Sequence, residues 1–303
     1  NNSGWQLLVD NIDVVSPELS MNADLALNGG ADSETTMSLL ASITEGDASK
    51  AGHYFPLTTM SADLVSYLNR SIVSGQIKQA QVLVNGPLSR FPFTDHSGIF
   101  VVDAELEQAV FSFDDEWPVI TDFAANLNFT NNSMLITGRG GSLVGLDVSG
   151  VQAAIDSLGN EQLLTVDTLI KPSSADLVTD LMLNSPLKDS VGAVLTQLQV
   201  SGDIQGEFHL NLPLKATEKV LASGIINFSD NQVALQQPRM DFAKVNGQLS
   251  FANDKITTEK LSLTWLDMAL ALDITAENKA EYYGTDIAIT AHWQQEVWQQ
   301  HVT

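Results

Sequence analysis

Leu19-Ser20-Met21-Asn22-Ala23-Asp24-Leu25-Ala26-Leu27-Asn28-Gly29-Gly30 sets an apolar side chain at every odd position from 19 to 27, with mostly polar residues between, and closes on a turn signal. Successive side chains of a strand point to opposite faces, so this stretch reads as one strand with an apolar face and a wet face. The same period returns along the whole chain. It runs through Phe100, Val102, Ala104, Leu106, then Phe123, Ala125, Leu127, Phe129, then Val200, Ile204, Phe208, Leu210, Leu212. It continues through Val220, Ala222, Ile226, Phe228, then Met268, Leu270, Leu272, Ile274, and ends in Ile287, Ile289, Ala291, Trp293. Asn131-Asn132, Ser229-Asp230-Asn231 and Asn253-Asp254 supply further short polar turns between these runs. Strands joined in this way pair antiparallel as meanders.

Helical spacing is confined to three places. Leu64, Val65, Leu68 and Ile72 follow Ser61 or a neighbouring Thr as N-cap; Leu177, Val178 and Leu181 follow Ser173, whose spacing to Asp176 resembles a capping box. A third helix is predicted from Pro186, with Ser185 as cap and Val191, Val194, Leu195 and Leu198 on one face. Three short helices among about fifteen strands make the chain mainly β.

Comparison of the chain with itself shows a duplication. Ser61-Ala62-Asp63-Leu64-Val65 recurs as Ser174-Ala175-Asp176-Leu177-Val178, Ser74-Gly75-Gln76-Ile77 as Ser201-Gly202-Asp203-Ile204, and Pro87-Leu88 as Pro213-Leu214. Ser97-Gly98-Ile99 matches Ser223-Gly224-Ile225, and Leu127-x-Phe129-x-Asn131 matches Leu249-x-Phe251-x-Asn253. The matches keep their order, which divides the chain into a unit over 51–165 and a unit over 166–277, each a helix followed by a meander. Residues 1–50 read as the end of a preceding unit and 278–303 as the start of a following one. Units of this kind bury their apolar faces by stacking, and the expected body is an elongated, repeated antiparallel β-meander curled into an open groove.

The charge narrows the function classes. Among 303 residues 37 are acidic and 14 basic, for a formal net charge of −23. A nucleic-acid partner would need a clustered basic surface, and an anionic membrane surface would repel this one. The carboxylates are expected on the outer, convex face. Cysteine is absent, which removes disulfides and thiolate chemistry. No run approaches the 18 or so apolar residues that span a bilayer; the most apolar stretch, 261–274, is cut by Asp267 and Asp273. The chain opens without Met on Asn1-Asn2-Ser3-Gly4 and runs straight into a strand-like Trp5–Val15, so it reads as a piece of something longer.

Catalytic patterns are missing from the sequence. His53, His96, His209, His292 and His301 have no metal-ligand spacing, and there is neither a nucleophile elbow nor a phosphate loop. Gly138-Arg139-Gly140-Gly141 reads as a loop or bulge between strands, Asp114-Asp115-Glu116 as a solvated turn, and His209 as a surface residue. No catalytic residue, metal or cofactor is expected.

Several blocks resemble the large AsmA-like proteins of proteobacteria: Tyr54-Phe55-Pro56-Leu57, Ser74-Gly75, Gly86-Pro87-Leu88-Ser89-Arg90-Phe91-Pro92-Phe93 and Gly98-Ile99-Phe100. Trp117-Pro118-x-Ile120-x-Asp122, Asn126-Leu127-Asn128-Phe129 and Val245-Asn246-Gly247-Gln248-Leu249-Ser250-Phe251 extend the likeness over roughly 50–260, the Gly-Pro-Leu to Phe-Pro-Phe block being the most specific. The resemblance implies a periplasmic segment of a protein anchored in the inner membrane by an N-terminal helix. Such proteins look like eukaryotic chorein-type bridges, whose repeating β-groove conducts phospholipids between two membranes. The implied partners are phospholipid acyl chains, adjoining repeats of the same protein, and the inner and outer membranes through parts outside this chain.

The candidate groove lining is Leu106, Phe111, Phe113, Phe123, Leu127, Phe129, Ile204, Phe208, Leu210, Phe228, Leu249, Phe251, Leu263 and Leu270, each from the apolar series of its strand. Two other readings stand beside it. One is a dry β-solenoid that spaces or docks envelope partners. The other is a polysaccharide-binding or hydrolytic β protein using Trp5, Trp117, Trp265, Trp293 and Trp298, although these share no strand face and read better as buried packing.

Overall fold

A computed structural model describes residues 4–31, 33–55, 62–158, 163–192, 195–196, 198–214, 219–236, 239–279 and 282–291. Among these residues seventeen strands form one antiparallel sheet. They are β1 (Gly4–Val15), β2 (Leu19–Gly30), β3 (Ser33–Asp47), β4 (Ile72–Pro87), β5 (Ile99–Phe111), β6 (Ile120–Thr130), β7 (Ser133–Leu143), β8 (Leu146–Asp147) and β9 (Gln152–Ile155). The second half has β10 (Leu163–Ser174), β11 (Leu198–Ser201), β12 (Asp203–Pro213), β13 (Leu221–Leu235), β14 (Met240–Ala252), β15 (Lys255–Trp265), β16 (Met268–Lys279) and β17 (Tyr282–Ala291). Helices α1 (Ala62–Ser71) and α2 (Ala175–Leu183) join them.

Each strand pairs with its successor in the chain, apart from two short pieces: β8 hangs on β7 alone, and β11 continues the line of β12 along β13. Among the described residues β1 and β17 do not pair, so the sheet stays open. The meander follows from turn chemistry. Asn131 and Asn253 open the β6–β7 and β14–β15 turns with φ of 49° and 53°, and Leu266-Asp267, both at positive φ, joins β15 to β16.

The register explains why one face is apolar throughout. Val14, Met21, Ile43, Ala80, Ala104, Leu127, Ile136, Ala153, Val166, Leu210 and Ala222 lie side by side in an unbroken apolar row across eleven strands, from β1 to β13. One residue away, on the opposite face, Asp13, Asn22, Ser42, Gln81, Asp103 and Asn128 make a polar row from β1 to β6. It is laced by Asn22 donating to Asp13 at 2.8 Å and Asn128 to Asp103 at 2.5 Å. A one-residue slip would exchange the two rows, so burial of the first fixes the pairing.

Several local expectations are corrected. Ser229-Asp230-Asn231 is no turn but a bulge inside β13, with Asp230 at φ 54°. Asn231 is buried there, its amide donating to the carbonyls of Ser201 at 3.1 Å and Asp203 at 3.0 Å, which seals the break between β11 and β12. Gly29 and Gly30 complete β2, and a Cβ at Gly29 would stand 2.6 Å from the Trp5 ring lying across it. Ser173 does not cap α2. It belongs to β10, its hydroxyl donates to the carbonyl of Lys171, and the N-cap is Ser174 with no side-chain bond. Ser185 does act as a cap, accepting from the Leu187 N–H at 3.2 Å. The segment after it winds as a π-helical turn, Lys188–Gly192, and Leu198 already belongs to β11. Ser61, Val194, Trp293 and Trp298 lie outside the described residues. Trp5 is half exposed, against the expectation of burial, because β1 is an edge strand.

Positive backbone angles recur at matching places. Gln108 and Asp230, Asp122 and Lys244, and Asn131 and Asn253 all have φ between 49° and 54°, each pair 122 positions apart. Asn131 and Asn253 also do the same work: their side-chain oxygens accept from the N–H of Phe100 at 2.8 Å and of Ala222 at 2.9 Å.

Candidate apolar groove

The apolar face carries two adjoining hollows. The first, about 1160 Å³ of atom-free space, lies between α1, the 112–119 loop, the middle strands β5 to β12 and α2. The second, about 1550 Å³, runs from α2 to Ile287 and Ile289 on β17. Val178 and Met182 of α2 wall both, so the helix lies between them. Both volumes include space open to solvent. The 112–119 loop folds inward over the face, bringing Trp117 within 6.0 Å of the Phe208 ring although β7, β9 and β10 separate β6 from β12. Phe208 in turn lies 6.2 Å from Phe251, so aromatic rings lead from the first hollow to the second.

All fourteen sequence candidates lie in the two apolar clusters of this face. Phe111, Phe113, Phe123, Phe208 and Leu210 line the first hollow, and Ile204, Phe228, Leu249, Phe251, Leu263 and Leu270 the second. Leu106, Leu127 and Phe129 line neither. Leu106, Phe111, Phe123, Ile204, Leu210, Phe251, Leu263 and Leu270 are buried; the rest are partly buried. Sequence reasoning missed Val233, Phe242, Val245 and Trp265, which line the second hollow. Each follows a positive-φ residue, Asp230, Lys244 or Lys260, or a strand start, and the bulges shift the apolar alternation by one. The helix residues Tyr67, Val178 and Met182 were missed because their contact with the face is tertiary.

Among the described residues no charged side chain is buried on this face. The buried polar residues among those described are Ser71, Ser185, Asn231 and Thr258, none of them ionisable. Thr258 is polar inside the second hollow because its hydroxyl accepts from the Ile274 N–H at 2.9 Å across the β15 bulge. At the rim of the first hollow Lys171 meets Asp147 at 2.8 Å, and Ser149 joins them. The hydrogen bond from Lys171, with those from Ser149, holds the Asp147 carboxyl down at about 2. His209 pairs with Asp167 at 2.6 Å on the outer surface, and Arg139, in the glycine bulge of β7, with Glu107 at 2.7 Å. No group of three or more metal-ligating side chains is gathered among the described residues.

A family model described as YhdP protein matches residues 1–302. The chain is similar to the intermembrane phospholipid transporter YhdP of Escherichia coli (strain K12), at 32% identity over 295 residues. That match covers 97% of this chain and 23% of the relative, so the chain spans less than a quarter of the transporter's length. No solved structure matches.

Proposed function

The chain belongs to the YhdP family, and from that premise we propose that it is a periplasmic, non-enzymatic segment of a bridge-like protein that moves phospholipids between the inner and outer membranes. The carrying observation is the apolar face itself, unbroken across eleven strands and opening into two apolar hollows. Acyl chains would lie along it, each buried methylene contributing about 0.8 kcal/mol, while headgroups stay in water at the open side. Similar surfaces in successive units offer no deep trap, so a lipid can slide. The fourteen candidates and the α2 side chains Val178 and Met182 would form its bed.

The same reading treats 51–165 and 166–277 as two copies of one unit, supported by the matched roles of Asn131 and Asn253. It gives the open edges of β1 and β17 to adjoining repeats. The inner-membrane anchor would lie elsewhere in the protein; among the described residues no helix is long and apolar enough to cross a membrane.

Native mass spectrometry of the purified chain, with extraction and identification of bound lipid, is the direct test. Co-purifying phospholipid is expected. A chain that stays lipid-free after incubation with phospholipid micelles would leave the dry solenoid as the better account.

A further inference from the structure

Three polar side-chain atoms on α1 and the adjoining 112–119 loop are buried without a partner. The hydroxyls of Tyr67 and Ser71 and the indole N–H of Trp117 are buried, and none has a hydrogen-bond partner among the described residues. Tyr67 and Trp117 both line the hollow. They belong to neighbouring pieces of chain, since the Ser112 N–H donates to the Ser71 carbonyl at 2.8 Å and the Phe113 ring packs, tilted, 5.6 Å from that of Trp117. Buried polar groups are nearly always paired, and an orphan costs free energy, so these three call for an explanation. Ser71 is one helical turn from Tyr67, and its hydroxyl lies near enough to ease the rise that burial imposes on the Tyr67 hydroxyl, although the two fall short of bonding geometry. Even if they met, one O–H and the indole N–H would still lack an acceptor, because indole only donates.

The missing partner is therefore an acceptor oxygen carried on an apolar body. A carboxylate is disfavoured: Asp114 is close enough to add to the rise that burial imposes on the Tyr67 hydroxyl, and it would repel a further anion buried there. A neutral carbonyl has no such cost. On the solvent side the exposed Arg70 guanidinium lies 5.6 Å from the centre of the Tyr67 ring, where a phosphate could meet it without being desolvated.

We propose that Tyr67 and Trp117 form a station for the ester carbonyl of a diacyl phospholipid, with the acyl chains in the first hollow and the phosphate at Arg70. The station rests on the lipid-holding reading above and deepens it. It makes the groove locally specific, since a lipid passing here is held in one orientation by a shallow preference.

The test compares a diacyl phosphatidylethanolamine with its dialkyl ether analogue, which lacks the carbonyls, on the parent chain and on Tyr67→Phe and Trp117→Phe. The parent should bind the ester about threefold to tenfold more tightly than the ether, and each variant should lose that preference. Tyr67→Phe removes only an unpaired oxygen, so the lipid-free variant should melt at or above the parent temperature. A lower melting temperature would mean the hydroxyl is already satisfied, by Ser71 or a bridging water, and overturns the station. So does equal binding of ester and ether by the parent, or a free fatty acid binding more tightly than the ester with the same sensitivity to the variants. Binding of neither lipid by the parent would instead overturn the lipid-holding function itself.

Discussion

At the residue scale burial decides what a substitution can report. Phe251 is buried and packed over Gly224, where a Cβ would stand 2.7 Å from its ring. A carboxylate there has no partner, and Phe251→Asp is expected to cost several kcal/mol and to bring a cooperative loss of structure in circular dichroism. Phe228 and Leu249 line the same hollow but are only partly buried. Phe228→Asp or Leu249→Asp should keep a cooperative melt while native mass spectra lose bound lipid; unchanged lipid occupancy in both would remove the second hollow from the path. Asp147 offers a titration. Its carboxyl ionises more readily in the folded chain than its ordinary 3.8, at about 2, so the ion pair stabilises above pH 4 and that contribution fades as pH falls toward 2. Both side chains are about half exposed, so the effect on stability is small. NMR titration of Asp147 should show the low value, and Lys171→Met should bring it back up.

At the element scale the turns and bulges hold the register. Asn131 and Asn253 each combine a left-handed backbone with a side chain that accepts a strand N–H. Replacing either by Ala should cost about 1–2 kcal/mol, by similar amounts, in urea unfolding; a clear inequality would argue against equivalent units. Gly206 faces Ile226 in the β12–β13 ladder, and a Cβ there would fall 1.9 Å from the Ile225 carbonyl oxygen. Gly206→Ala must push those strands apart, at a cost of about 1–3 kcal/mol. The strands themselves were legible from their period, as were the Asn131 and Asn253 turns and both α-helices. The bulge at Asp230 was misread as a turn because Ser-Asp-Asn has the same composition in either setting, and only the buried amide of Asn231 bonding to β11 and β12 distinguishes them.

At the scale of the whole molecule charge and apolarity are segregated. No carboxylate is among the buried residues described, while the chain carries a net −23. At physiological salt the isolated chain should float only weakly with anionic vesicles; strong, salt-sensitive flotation would contradict this distribution of charge. The amino-acid sequence alone determined that there are two faces, that the strands meander and that acidic residues dominate. Each of these follows from neighbours in the chain, whose alternation and turn chemistry are local. Only the tertiary structure decided that Trp117 reaches Phe208 across three intervening strands, that α2 lies between the two hollows, and that Tyr67 and Trp117 bury unpaired donors beside the first hollow. These depend on contacts between residues far apart in sequence, and the period of a strand shows which face a side chain takes without showing what comes to lie over it.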